Sequence, residues 1–254
     1  AYELEHPNKT YILPSELKEI SALSYLGKGQ LACVQDEKGY VFVFDEATQG
    51  ISRKYKFAKN GDYEGLELVG NKVYIVRSDG TLYEMELTES TTQSGETKKY
   101  KTFLNEKDNI EGLGFDKKTN QLLLACKGST NKKTRKLKRE VYAFDLTTKI
   151  LLEDPFLLIN FEDISNLRGE AEIEFNTSGI AIHPITGEIY MISSTAKKLI
   201  VTNRDGFILN VQALPRSIFS QPEGICFDTE GTLYISNEAR GGKANILKFE
   251  YLKK

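Results

Sequence analysis

The sequence predicts an all-β fold, a single β-propeller of five four-stranded blades spanning residues 1–254. Three observations carry that prediction. A small residue followed by an aliphatic one opens a short apolar strand five times, at Ala22-Leu23, Gly65-Leu66, Gly112-Leu113, Gly179-Ile180 and Gly224-Ile225. Each opening is followed by a turn and a second apolar strand, then by a third strand with alternating pattern. The anchors Leu23, Leu66, Leu113, Ile180 and Ile225 recur at intervals of 43, 47, 67 and 45 residues, and a repeat of that length with four strands per unit is a propeller blade.

The second strands are Leu31–Val34, Val73–Val76, Leu122–Ala125, Ile189–Ile192 and Leu233–Ser236, reached through turns rich in Gly and Asn such as Gly27-Lys28-Gly29 and Gly70-Asn71. The third strands are Tyr40–Phe44, Thr81–Leu87, Val141–Leu146, Lys198–Asn203 and Asn245–Tyr251. Fourth strands are weaker, as outer edges should be: Ser52–Phe57, Lys98–Leu104, Phe156–Ile159 and Ile208–Leu214. Only three strands remain after Ile225, so the missing fourth is expected from Asn8–Leu13, which would close the ring and remove an open edge. The long 67-residue interval is read as two insertions, near Gly128–Arg139 and near Asn160–Glu174, with a sixth blade as the alternative.

Composition excludes some functions. With 34 basic against 36 acidic residues and a formal charge of -2, a general nucleic-acid binder is not expected. No apolar run is long enough to span a membrane. Cys33, Cys126 and Cys226 each sit in an apolar strand-like run and read as buried free thiols. Residues 1–7 lack a signal-peptide pattern, although a chain trimmed of its leader would look the same. A monomer is expected.

In a propeller the first strand of each blade lines the central channel and the second runs antiparallel to it. Residues just before each first strand and just after each second strand therefore share one face. The five positions before the small residue are Ser21, Glu64, Glu111, Ser178 and Glu223. Three carboxylates from three blades would converge near the axis, where two like charges about 4 Å apart repel by roughly 4 kcal/mol at an effective dielectric of about 20. Such a cluster calls for a cation, and calcium, which takes 6–8 oxygen ligands with loose geometry, is the simplest. The same face carries Asp36, Glu37, Arg77, Lys127, Asn237 and Glu238. Asn237 and Glu37 are candidate additional ligands, and Glu238 a ligand or second acceptor. Zinc is disfavoured because His6 and His183 lie outside the ring. The competing reading is an internal ion-pair network in which Arg77 and Lys127 neutralise Glu64 and Glu111.

The motifs DEKGYVFVFD (Asp36–Asp45), DYEGLELVGNKVYIV (Asp62–Val76), SGIAIHPITGEIYMISS (Ser178–Ser194) and QPEGICFDTEGTLYISNEARGGKANILKF (Gln221–Phe249) together resemble the SdiA-regulated family of bacterial propellers, over roughly Glu16 to Tyr251. The PEGI element at Pro222–Ile225 is also similar to that of gluconolactonase-like hydrolases and phytase-like proteins, which are calcium-dependent propellers. The resemblance implies an exported, periplasmic or lipoprotein-anchored envelope protein of unassigned activity, often with calcium at the channel mouth. A gluconolactonase-like site would match at Glu223 and Asn237. The expected function is thus a calcium-binding module for a small-molecule or protein ligand. The alternative is a metal-dependent hydrolase of phosphoesters or lactones, with Glu111 or Glu37 as base and Lys127 and Arg77 holding phosphate.

Two further features are weighed. The stretch Lys127–Arg139 carries seven basic residues and reads either as an anion site or as a solvated loop, with Glu162, Asp163, Glu170, Glu172 and Glu174 expected to face it across the same surface. Ser193-Ser194 and His183 fall on opposite faces, too far apart for a nucleophile and its base.

Overall fold

Alternating apolar strands with Gly-containing turns leave the chain no way to bury its apolar faces except by stacking sheets around an axis, and the computed structural model, which describes residues 1–88, 96–169 and 173–252, does so. Blade 1 comprises β2 (Ile20–Gly27), β3 (Gln30–Gln35), β4 (Tyr40–Asp45) and β5 (Gly50–Lys56). Blade 2 comprises β6 (Tyr63–Val69), β7 (Lys72–Arg77), β8 (Leu82–Glu86) and β9 (Lys98–Tyr100). Blade 3 contains β10 (Ile110–Asp116), β11 (Gln121–Cys126) and β12 (Lys138–Asp145), with β13 (Ile150–Leu151) and β14 (Leu157–Asn160) sharing its outer edge. Blade 4 follows helix α1 (Phe161–Arg168) and comprises β15 (Gly179–Ile182), β16 (Ile189–Ser193), β17 (Lys198–Thr202) and β18 (Ile208–Ala213). Blade 5 holds β19 (Pro222–Phe227), β20 (Leu233–Asn237) and β21 (Asn245–Phe249), completed by β1 (Lys9–Ile12).

The ring closes as expected: β1 lies antiparallel to β21, with Tyr11 opposite Ile246. Five blades, not six, account for the chain. The second predicted insertion contains α1, and the first is the 128–137 connection that leads into β12.

The outer edge of blade 3 differs from the single predicted strand. Residues Ile150–Leu151 pair with the Phe144–Asp145 end of β12, and Leu157–Asn160 pair with its Lys138–Val141 end. Pro155 lies between them and has no N–H to give the ladder, so the edge breaks there.

Five clusters of buried apolar residues fill the blade interfaces, each drawn largely from two adjacent sheets. The small residues of the repeat do what the repeat predicted. A Cβ on Gly224 would come within 2.4 Å of Leu23 in blade 1, and one on Gly179 within 2.6 Å of the Glu223 carbonyl in blade 5. Inner strands of neighbouring blades thus touch where only a glycine or alanine fits.

Candidate functional site at the channel mouth

The ring position is also where the inner strands are irregular. Pairing with the second strand shifts between Ile20 and Ala22, Tyr63 and Gly65, Ile110 and Gly112, and Pro222 and Ile225. Ser21, Glu64, Glu111 and Glu223 lie in those shifts. An extra residue in a ladder re-aims its side chain, and here it turns the three glutamates toward one another.

Their proximity is visible in their acidity. Burial pushes Glu64 up to about 10, helped by the charges of Glu111, Asp62 and Glu223 and by a hydrogen bond with Asp62. Burial also pushes Glu223 up to about 8, with Glu111 adding to the rise and Lys127 opposing it. Glu111 is 7% exposed and likewise raised, first by burial, although Lys127 and Asn109 pull the other way. The Lys127 Nζ lies 2.7 Å from Glu111 Oε1, and Asn109 Nδ2 donates to the same oxygen at 2.8 Å. Burial disfavours the Lys127 charge, but Glu111, Glu223 and Glu64 together outweigh it and raise the amine above its ordinary range.

The other sequence candidates divide. Ser21 Oγ donates to the Tyr63 carbonyl at 2.6 Å and Ser178 Oγ to the Pro222 carbonyl at 2.8 Å. Each serine therefore clamps its blade to the residue just before the next ring glutamate. Arg77 pairs with Asp79 and does not neutralise Glu64. Asn237 is fully buried; its amide donates to the Ile218 carbonyl at 3.2 Å and to Asn245 Oδ1 at 2.9 Å, and its Oδ1 has no partner among the described residues. Glu37 is exposed, beside Asp36, in a second acidic group at the junction of blades 1 and 5. There burial, Glu19 and Glu238 raise Asp36 to about 6. Glu238 is raised by burial and Glu19, and accepts a hydrogen bond from Gln221.

The donor chemistry is all oxygen, which suits a hard cation and not zinc. The Lys127 amine occupies the cation position beside Glu111, so Glu64, Glu223 and Asp62 are the carboxyls a bound ion would draw on. Among the described residues no group of three or more His, Cys, Asp or Glu side chains stands ready-made to hold a metal ion.

Sequence reasoning missed Asp62, Gln221 and Lys197 as parts of the mouth. Asp62 stands two residues before a ring glutamate and was within reach of the repeat logic; Lys197 is in a hairpin turn with no pattern to mark it. The basic stretch resolves into separate roles. Arg139 is 4% exposed and donates to the Lys127 carbonyl at 2.6 Å, Glu174 at 2.8 Å and Asn176 at 2.5 Å, so it anchors the connection rather than facing a ligand. Glu170 and Glu172 lie outside the described residues. His183 is buried at the far end of the channel, where its Nε2 meets the Tyr2 hydroxyl at 2.8 Å, remote from Ser193 and Ser194. The three cysteines are buried and free. A cleft of about 990 Å³ at that far end is lined by Phe115, Ile182, His183 and Arg204, and does not reach the glutamate ring.

Fold and site together define a five-bladed propeller with an acidic channel mouth. A model of the SdiA-regulated family matches residues 8–240. The chain belongs to the SdiA-regulated family. No curated protein sequence matches it significantly. Among solved structures it is similar to the glutaminyl cyclase of Myxococcus xanthus, with a TM-score of 0.67 and 14% identity over 96% of this chain and 95% of that one. It is also similar to the PQQ-bound aldose sugar dehydrogenase of Streptomyces coelicolor, with a TM-score of 0.60 and 14% identity over 96% and 97% of the two chains. A luciferin-regenerating enzyme gives 0.57 at 11% identity over 97% and 96%. At these identities the likeness is one of fold. No helix among the described residues is long and apolar enough to cross a membrane.

Proposed function

We propose that this chain is a ligand-binding propeller whose channel mouth captures a cation, calcium first among them, through Glu64, Glu223 and Asp62, with Glu111 held by Lys127. The single observation that supports this reading is the pair of partly buried carboxyls, Glu64 and Glu223, pushed up to about 10 and about 8. They are short of positive charge, and a bound cation would supply it in place of protons. The expected envelope location rests on the family resemblance and is tested by fractionating the producing cell.

The test is direct. Calorimetric titration of calcium into protein purified without chelator, together with elemental analysis, should find a bound ion and a rise in Tm. Glu223→Gln should lose both. A wild-type protein that carries no calcium and shows no calcium-dependent thermal shift sinks the reading.

A second reading, hydrolysis of a phosphoester or lactone at the same mouth, is favoured by Glu223, whose carboxyl burial pushes up to about 8, toward the range that suits a general acid or base. A cation held there would supply polarisation of the ester oxygen and a more acidic water. Glu37 and Arg77, set apart from the ring, are poorly placed for the base and phosphate-holding roles expected of them. Turnover of phosphomonoesters or lactones that depends on calcium and vanishes in Glu223→Gln would favour the enzyme; none across both substrate classes would leave the binding module.

A further inference from the structure

Beside the acidic ring lies a set of cations that the reading above does not use. Lys197 ends the hairpin turn between β16 and β17 on the mouth side and is 8% exposed. Its Nζ donates to the Ser220 carbonyl at 2.7 Å, and its own carbonyl accepts from Leu214 N at 2.8 Å. Both bonds fall on the 214–221 connection from blade 4 to blade 5. That connection is pinned elsewhere too: Phe219 is fully buried and its N–H reaches the Pro215 carbonyl at 2.8 Å, while Glu238 N reaches the Gln221 carbonyl at 2.9 Å. Arg216 therefore rides on a fixed turn. Arg240 follows Glu238 by two residues, so it leaves the end of β20 over the same rim.

Arg216 and Arg240 are exposed, and both lie close enough to Lys197 to bear on its charge. Burial first, then Arg216 and Arg240, hold the Lys197 ammonium below its ordinary range, with Glu223 opposing them. Among the described residues none of the three cations takes part in an ion pair. A lysine that only stapled the connection would need one donor and no arginines. Lys197 has further N–H groups beyond the one spent on Ser220, and each guanidinium offers a planar fork of donors suited to carboxylate or phosphate oxygens.

We propose that Lys197, Arg216 and Arg240 form an anion-binding subsite on the blade 4–blade 5 rim of the mouth, taking the carboxylate or phosphate group of the ligand. The subsite rests on the reading that the mouth is where ligand binds, and deepens it. The ligand so defined carries an anionic group beside the cation that the glutamates hold.

Inorganic phosphate, and citrate as a carboxylate probe, are titrated into the full chain at low ionic strength, followed by calorimetry and thermal shift. Wild type should bind in the millimolar range or tighter. Arg216→Ala with Arg240→Ala, both at exposed positions, should weaken binding by about tenfold or more, the loss of two charge-assisted contacts. Lys197→Met should weaken it further; should that variant fail to fold, the double arginine variant still decides. Glu223→Gln separates the subsite from the ring. It should lower calcium affinity while phosphate binding persists, because the lysine and arginine donors of the subsite are untouched. Wild-type protein that ignores both anions, or a double arginine variant that binds them as well as wild type, overturns the subsite while leaving calcium binding standing. Phosphate binding without calcium binding keeps the subsite and overturns the cation reading.

Discussion

Carboxylates buried at blade junctions are treated in opposite ways at the two ends of this molecule. Away from the mouth, Glu84 accepts from Lys72 at 2.6 Å, Lys149 at 2.8 Å and Tyr100 at 2.9 Å. Burial works against its charge, but these partners hold it down to about 2. Glu46 is similar, bonded by Tyr11, by Tyr234 at 2.8 Å and by Lys248 at 2.9 Å across the seam that closes the ring, and it too lies below its usual range. At the mouth, Glu64 and Glu223 have no such ion-paired cations of their own among the described residues, and both lie far above it. The fold can evidently neutralise a junction carboxylate. Where it does not, the carboxyls are left raised, and it is on this contrast that the proposed cation site rests.

The comparison breaks most readily by removing one carboxylate from each end. Glu84→Ala should cost about 3 kcal/mol, toward the low end for a broken buried pair because its lysines are roughly a third exposed and can return to water. Glu64→Gln in calcium-free protein at neutral pH should cost almost nothing, since a carboxyl pushed up to about 10 is already protonated there and glutamine keeps its shape. Urea unfolding of both variants tests this. Equal losses would mean that the two ends are built alike, and the site would lose its basis.

Titration sharpens the same contrast at a smaller scale. Glu84 has a depressed pKa, so its contribution is present above the ordinary glutamate value near 4.5 and is lost as pH falls toward about 2. Glu64 and Glu223 are raised. They bind protons more tightly in the folded state, so stability drains as pH climbs from about 4.5 through about 8 and then about 10. Calcium should offset that loss. Its affinity should strengthen over the same interval by up to about tenfold per pH unit for each proton displaced. Tm against pH, with and without calcium, is the measurement; parallel curves would separate the ion from these carboxyls.

The repeat carried the architecture because it is written in short-range pattern: a small residue, an aliphatic one, a turn, a second apolar run. The same pattern placed Glu64, Glu111 and Glu223 together, since equivalent positions in a propeller face a common axis. It failed where side chains choose among partners. Arg77 and Lys127 stand one register place apart, Arg77 opposite Tyr63 where blade 3 has Cys126 opposite Ile110; Arg77 turns to Asp79, two residues away, while Lys127, the next residue on, reaches the ring. Asn237 ends β20 as Arg77 ends β7, yet its amide is spent on the Ile218 carbonyl and Asn245 Oδ1. Such choices depend on loops whose course periodicity does not specify. The break in the blade 3 edge was a local matter that Pro155 already announced.

Ser21 and Ser178 supply the finest test, because they occupy the ring position without a charge. Read as ligand contacts, they would be open at the mouth. Instead both are buried, and each hydroxyl crosses to a backbone carbonyl of the next blade, Tyr63 and Pro222 in turn. Ser21→Ala or Ser178→Ala should therefore cost about 1 kcal/mol, the ordinary worth of a buried hydrogen bond, and leave one carbonyl short of a partner. Calcium affinity should hardly move, because the glutamates that follow those carbonyls keep their place in the strand. A variant with unchanged stability and calcium affinity lowered tenfold would reverse the assignment and make the serine hydroxyls part of the site; stability loss alone keeps them as the fasteners between blades that set where Glu64 and Glu223 stand.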